Sequence, residues 1–437
     1  MALPAGGGNG DARRNLLRQR AAAVQYEIPA GSALLLLDEP AASSISVCRG
    51  SVNMDRNQPL ALANARLVLA DEVIEGGWIV AENGVIAAFG RGAPPAKAED
   101  VGGDLVIPGL VELHTDHIEA HYMPRPKVRW DPLSAVVSYD AQLATCGITT
   151  VLDSLRVWRE EGAEDVGGEA VLLAAAIATA RDADMLRITH YLHLRCEVPM
   201  PRVVEEACEL IGRDDVRLVS LMDHTPGQRQ FRDEQKLRDY YRGKSGRLTD
   251  AELDHMFDQR REQARRHAAP NYRDLVGMAH ARGIPLASHD DTTAEHVARS
   301  IADRVAIAEF PTTVAAAQAL HAGGVRVLMG APNLVRGGSH SGNVATADLA
   351  RAGVLDVLSS DHVPASLLMA ALHLSREVPT ISLPAAVRMV TKTAAAAVGL
   401  DDRGEIAAGK RADLVRVHVA EAVPVARSVW RAGRRVA

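Results

Sequence analysis

Glu112, His114 and Asp116 stand at alternate positions where an apolar run turns polar, within residues 106–130, VIPGLVELHTDHIEAHYMPRPKVRW. Residues two apart in a β-strand share a face, so the three are expected to point the same way. A neutral imidazole beside a carboxylate offers two metal ligands of complementary charge. Later runs end in the same manner. His193, Arg195 and Glu197 alternate in THYLHLRCE, MDHTPGQRQ carries His224, ASHDD carries His289 and LSSDH carries Asp361. Singly, each has an ordinary explanation as a hydrogen-bonded or exposed strand-end side chain. Jointly, His114, Asp116, Glu197, His224, His289 and Asp361 form a set whose crowding would carry a desolvation cost that shared cations offset.

Those residues converge only if particular elements hold them. Strand-length apolar runs at 105–114, 148–152, 188–196, 216–223, 284–289, 305–310, 325–330 and 355–361 alternate with Ala-rich helical stretches. That alternation marks βα units and a parallel sheet. Eight such strands predict an α/β fold, a (β/α)8 TIM-like barrel over 105–401, with functional groups at the strand C-termini. A charged stretch at about 228–275 interrupts it as a helical insertion, with a capping-box start at Thr249 and Glu252. It reads as a solvated hairpin or as a lid over the site. Short Gly-punctuated β runs at 54–104 and 402–437, including an Asn83-Gly84 hairpin signal, predict a small composite β-sandwich domain built from both chain ends. Residues 1–53 read as a disordered or loosely attached extension, with Met54 as an alternative start.

Composition narrows the function. The 437 residues carry a formal charge of −6, too mild and unpatterned for bulk nucleic-acid binding. The chain is 47% hydrophobic but 3% aromatic, so its core rests on Ala, Val and Leu. No apolar run reaches the roughly 20 residues that span a bilayer, so no membrane partner is expected. Four cysteines without CxxC spacing suit a reducing compartment, and the expected location is cytoplasmic.

The motifs PGLVELHTD, PRPKVRW, DAQLATCGITTVLD, LHLRCE, SLMDHTPGQRQF, ASHDD, EFPTT, VLMGAPNLVRGGSHSGNV, LSSDHVPASLL and GKRADLV follow one another over residues 60–437. Together they resemble the amidohydrolase superfamily of metal-dependent hydrolases. That resemblance implies two divalent metal ions (Zn, Mn or Fe) held by His114, Asp116, Glu197, His224, His289 and Asp361. Many members bridge the ions with a carboxylated lysine. None of the six lysines ends a candidate strand, so the resemblance implies Glu197 as the bridge. It also implies that Asp361 takes the proton of the attacking water. More narrowly, the motif order resembles the branch acting in the carbon–phosphorus lyase pathway. This implies hydrolysis of a small phosphorylated ribose phosphonate, α-D-ribose 1-methylphosphonate 5-triphosphate, to the 5-phosphate and pyrophosphate. His117 and His362 stand where that branch leads one to expect Asn and Tyr.

A triphosphate requires cationic and backbone donors. Arg125, Lys127 and Arg129 follow the first strand, Arg195 lies on the third and Arg229 follows His224. Arg336 enters Gly337, Gly338, Ser339, His340 and Ser341, where the glycines permit close approach of backbone N–H groups to an anion. Two other readings stay open: an amidohydrolase acting on a cyclic amide or N-acyl substrate, and a non-catalytic assembly subunit. The first predicts few rim cations and the second a lost ligand. A homo-oligomer is compatible with either.

Overall fold

The computed structural model describes residues 59–95, 97–158, 169–245, 248–339 and 342–437. The extension expected over residues 1–53 lies outside them, as do His340 and Ser341.

The chain opens with β1 (Leu60–Val68), β2 (Val73–Glu82), β3 (Val85–Arg91), β4 (Glu99–Asp100) and β5 (Leu105–Pro108). Eight parallel strands follow: β6 (Leu110–Thr115), β7 (Ile148–Val157), β8 (Thr189–Glu197), β9 (Val216–Met222), β10 (Leu286–His289), β11 (Ile307–Glu309), β12 (Arg326–Gly330) and β13 (Val357–Ser359). Each pairs with its neighbour in chain order. The first and last meet at a parallel bridge between Thr115 and Asp361, where the Asp361 N–H donates to the His114 carbonyl at 3.1 Å. The parallel sheet therefore closes on itself, as eight βα units should. Val111, Leu113, Leu152, Leu218, Ala287, Ile307, Leu328 and Val357 pack together as a buried interior cluster. Connecting helices bury small residues against the outer face, including Ala135, Ala144, Ala174 and Ala180. Tyr139, on the helix Pro132–Thr145, is a fully buried ring among them.

The last strands are β14 (Leu414–Ala420), β15 (Val423–Arg431) and β16 (Arg434–Arg435). They join β5, β1, β2 and β3 in a mixed sheet, with β4 paired to β1, so both ends of the described chain build one element. Its β2–β3 hairpin turns at Asn83 (φ 51°) and Gly84 (φ 83°), the two positive angles that a type I′ turn demands.

The expected continuous strand at 105–114 is divided in the structure. β5 pairs antiparallel with β14 in the mixed sheet, whereas β6 pairs with β7 in the barrel. Gly109 is the joint: a Cβ there would lie 2.8 Å from the Cβ of Thr149, so only glycine lets the chain pass. The simple alternation expected of Glu112, His114 and Asp116 also fails. Between Glu112 and Thr115, β6 advances three residues while β7 advances two, which is a bulge. Glu112 turns back on its own strand and accepts the N–H groups of His114 (2.7 Å) and Ser360 (2.6 Å), tying β6 to β13.

The insertion forms helices Glu234–Ser245 and Asp250–Ala281. Thr249 and Glu252 make the reciprocal capping box at the start of the second. Phe231, Leu237, Leu253 and Phe257 give the pair a small core of its own. Among the described residues, no helix is long and apolar enough to cross a membrane.

Candidate active site

Polar strand ends gather at the C-terminal rim of the barrel. Glu309 ends β11 and is completely buried. It holds two histidines from other strands: His114 Nδ1 lies 2.9 Å from one carboxylate oxygen, and His289 Nδ1 lies 3.1 Å from the other. Ser220 of β9 donates its hydroxyl to that second oxygen at 2.6 Å. Burial opposes ionisation of Glu309, but His114 and His193 outweigh it and hold the carboxyl well below its usual range. Phe310 follows in a left-handed conformation (φ 54°) and sets its ring edge-on to His114 and His289, with centroids 5.0 and 5.2 Å away. The two imidazoles stack at 5.6 Å.

A second group lies beside the first. Glu197 ends β8, and its carboxylate meets the His224 backbone N–H at 2.7 Å and His224 Nδ1 at 2.6 Å. Burial opposes its charge too, yet His224 brings the pKa down to about 2. On the far side of that ring, His224 Nε2 is 3.8 Å from Asp290 Oδ2, and His289 Nε2 is 3.4 Å from the same oxygen. Asp290 is buried and this oxygen accepts no hydrogen bond. An unpartnered carboxylate oxygen facing two imidazole Nε2 atoms is costly without a cation. The donor set of neutral nitrogens and anionic oxygens matches what a divalent transition metal takes.

The other expected ligands stand close by. Asp116 Oδ2 forms ion pairs with Arg195 (3.0 Å) and Arg156 (3.6 Å). Burial works against its charge, but the two arginines depress its pKa. Asp361 (φ 53°) is bridged by its backbone to His114 and Thr115, and its Oδ2 accepts from His362 Nδ1 at 2.9 Å. His117 reaches the His362 carbonyl through Nδ1 at 3.1 Å and Gln142 through Nε2 at 3.1 Å.

The expected phosphate-binding cations divide into two classes. Arg195 and Arg229 are buried and balanced, Arg195 by Asp116 and Arg229 by Asp291 at 3.1 Å together with the His289 carbonyl at 2.6 Å. Their charge is spent inside the wall, Arg195 from within β8 and Arg229 from the short 3-10 turn Arg229–Phe231 that follows β9, each beside a carboxylate. Arg125, Lys127 and Arg336 are exposed, and Arg129 pairs with Glu169 at 3.2 Å. Gly337 closes helix Ala331–Arg336 in the left-handed conformation (φ 82°), followed by Gly338 (φ 159°) and Ser339. The insertion reaches this loop: the Lys236 amine lies against Gly342, and Asn343 donates to the Gln230 carbonyl at 3.4 Å.

Glu309, Asp290 and Ser220 are additions to the expected set. Glu309 left a readable trace in the run IAE, where a carboxylate sits in an otherwise apolar buried strand. Asp290 had none, since ASHDD contains two adjacent carboxylates and only the fold decides which one meets His224.

Comparison with known proteins agrees with this architecture. Solved structures under 20% identical share the fold. 5-Methylcytosine deaminase from Klebsiella pneumoniae has a TM-score of 0.58 at 16% identity, covering 86% of this chain and 98% of that one. N-acetyl-D-glucosamine-6-phosphate deacetylase from Mycobacterium smegmatis has a TM-score of 0.56 at 19% identity, covering 86% and 100%. Among curated proteins, α-D-ribose 1-methylphosphonate 5-triphosphate diphosphatase of Escherichia coli (strain K12) is 46% identical over 375 residues, covering 85% of this chain and 99% of its own. N-acyl-D-glutamate deacylase of Alcaligenes xylosoxydans xylosoxydans is 27% identical over 168 residues, covering 35% and 30%. The amidohydrolase family model matches residues 141–437. With its closed eight-stranded barrel, its rim of histidines and carboxylates and these matches, the chain belongs to the amidohydrolase family.

Proposed function

We propose that this protein hydrolyses α-D-ribose 1-methylphosphonate 5-triphosphate to the 5-phosphate and pyrophosphate. The observation that carries the reading is the 46% identity to the Escherichia coli enzyme of that name over nearly its full length. The rim chemistry gives it a physical basis. The family generally works with divalent metal ions. Here His114, Asp116, Glu197, His224, His289 and Asp361 would hold two of them, with Asp290 supplying its unpartnered oxygen. When bound, such ions acidify water and draw charge from phosphoryl oxygens.

The protein's own groups do the rest. Asp361 stands at the end of β13 with its carboxylate at the rim, suited to accept the proton of a water attacking the α-phosphorus. The contact from His362 holds that carboxylate in one orientation. Arg125, Lys127 and Arg336 are exposed cations of the surrounding loops. They would hold the β- and γ-phosphates as one leaving group and offset the charge that develops there. The Gly337 and Gly338 N–H groups, expected from the sequence to face an anion, instead close the preceding helix on the Leu334 and Asn333 carbonyls at 3.1 and 2.9 Å, so this loop would meet phosphate through the Arg336 side chain and not through those two donors. Arg195 and Arg229 act by fixing Asp116 and the β10 end, not by touching phosphate.

Hydrolysis in ¹⁸O-labelled water, followed by phosphorus NMR, tests the reading. Attack at the α-phosphorus puts the label in the sugar 5-phosphate and releases unlabelled pyrophosphate. Label in pyrophosphate, or orthophosphate as first product, refutes it. Asp361→Asn should lower kcat by roughly 10²–10⁴ with the fold intact, because Asn also tolerates the positive φ at this position.

A further inference from the structure

We infer that Glu309 is the residue that aims the metal site. It is a buried positioning carboxylate that takes the Nδ1–H of both His114 and His289 and so turns their Nε2 lone pairs into the cleft.

The proximity of His114, His289 and Glu309 also fits a different arrangement, in which all three ligate one ion. The hydrogen-bond pattern favours positioning. The two imidazoles approach different oxygens of Glu309, at 2.9 and 3.1 Å, instead of converging on a shared point. Ser220 adds a hydroxyl donor at 2.6 Å to the oxygen that His289 uses. Three donors from β6, β9 and β10 thus surround a carboxylate on β11 with no solvent exposure. A carboxylate can only accept, so each facing Nδ1 carries its proton. In each neutral ring Nε2 is then the bare nitrogen. His289 Nε2 does point at the unpartnered Asp290 oxygen, 3.4 Å away, where a cation is wanted. Phe310 completes the clamp. Its ring packs edge-on against both imidazoles, with centroids 5.0 and 5.2 Å away. One carboxylate therefore sets tautomer and orientation for two ligands from two strands. Partners of this kind typically govern metal affinity by about 10–100-fold.

The inference rests on the metal-site reading but not on any substrate, and its test uses none. The full-length protein is labelled with ¹⁵N-histidine, stripped of metal with a chelator, then reloaded with ¹¹³Cd²⁺. His114→Asn and His289→Asn assign the signals. In the metal-free protein, both rings should be Nδ1–H tautomers. After loading, ¹¹³Cd–¹⁵N coupling should appear on Nε2 of both. In Glu309→Gln, whose amide can accept at one atom only, at least one ring should switch to Nε2–H, and Cd²⁺ affinity should fall about 10–100-fold. Circular dichroism reports whether the variant folds, and if it does not, the wild-type tautomers and couplings still decide. Coupling on Nδ1 of either ring, or an Nε2–H tautomer in the metal-free wild type, overturns the inference. Loss of ribose triphosphate hydrolysis as the activity would leave all of these readouts unchanged.

Discussion

Asp140→Asn should cost stability in a pH-dependent way. Asp140, on helix Pro132–Thr145, is buried and accepts the N–H groups of Arg187 (2.9 Å) and Ile188 (3.0 Å) and His190 Nε2 at 3.3 Å. The other nitrogen of His190 meets Asp153 Oδ2 at 2.9 Å. Both ring nitrogens therefore face carboxylates, which only an imidazolium can satisfy. Burial opposes that charge, but Asp153 and Asp140 overcome it and lift the His190 pKa to about 9. Against an ordinary value near 6.5, and at about 1.4 kcal/mol per tenfold, the proton contributes roughly 3 kcal/mol to folding. Because the folded-state pKa is the higher one, the contribution is complete below about pH 6.5 and is lost as pH rises through about 9. Removing one buried partner of such a pair costs about 3–5 kcal/mol. The gap between wild type and Asp140→Asn should thus be about 3–5 kcal/mol at pH 6. Above pH 9 it should shrink to what Asp140 still holds, the two backbone N–H groups and the Arg187 guanidinium at 3.4 Å, about 1–2 kcal/mol. Urea unfolding at pH 6, 7.5 and 9.5 measures it. A gap that stays constant across that range refutes a charged His190. The consequence reaches the site, because His190 lies near the start of β8 and Glu197 ends it.

Two further outcomes are expected. Glu197→Gln should lower metal content per chain, measured by elemental analysis, without unfolding the protein, since an amide offsets the charge of two dications poorly; full occupancy in the variant excludes a metal-holding role. Gly109→Ala should destabilise by about 1–3 kcal/mol, read as a lowered Tm, because its new methyl collides with Thr149 where the chain passes from the mixed sheet to the barrel; an unchanged Tm shows that the joint can relax.

Much of this protein was legible from local pattern. Strand-length apolar runs, Ala-rich helices between them, the Asn83-Gly84 turn and the Thr249–Glu252 capping box are short-range signals, and each led to its element. The histidines and carboxylates at strand ends were visible because parallel strands put functional groups at one rim. Tertiary structure alone decided three matters. Gly109 splits an apparently continuous strand between two sheets, because β14 arrives from about 300 residues away to claim its first half. The bulge in β6 removes Glu112 from the face of His114, since register depends on the neighbouring strand and not on the run itself. And Glu309 meets His114 across 195 positions of sequence. Spacing within a motif can suggest a ligand. Which carboxylate orients it depends on how the barrel closes, and no local pattern records that.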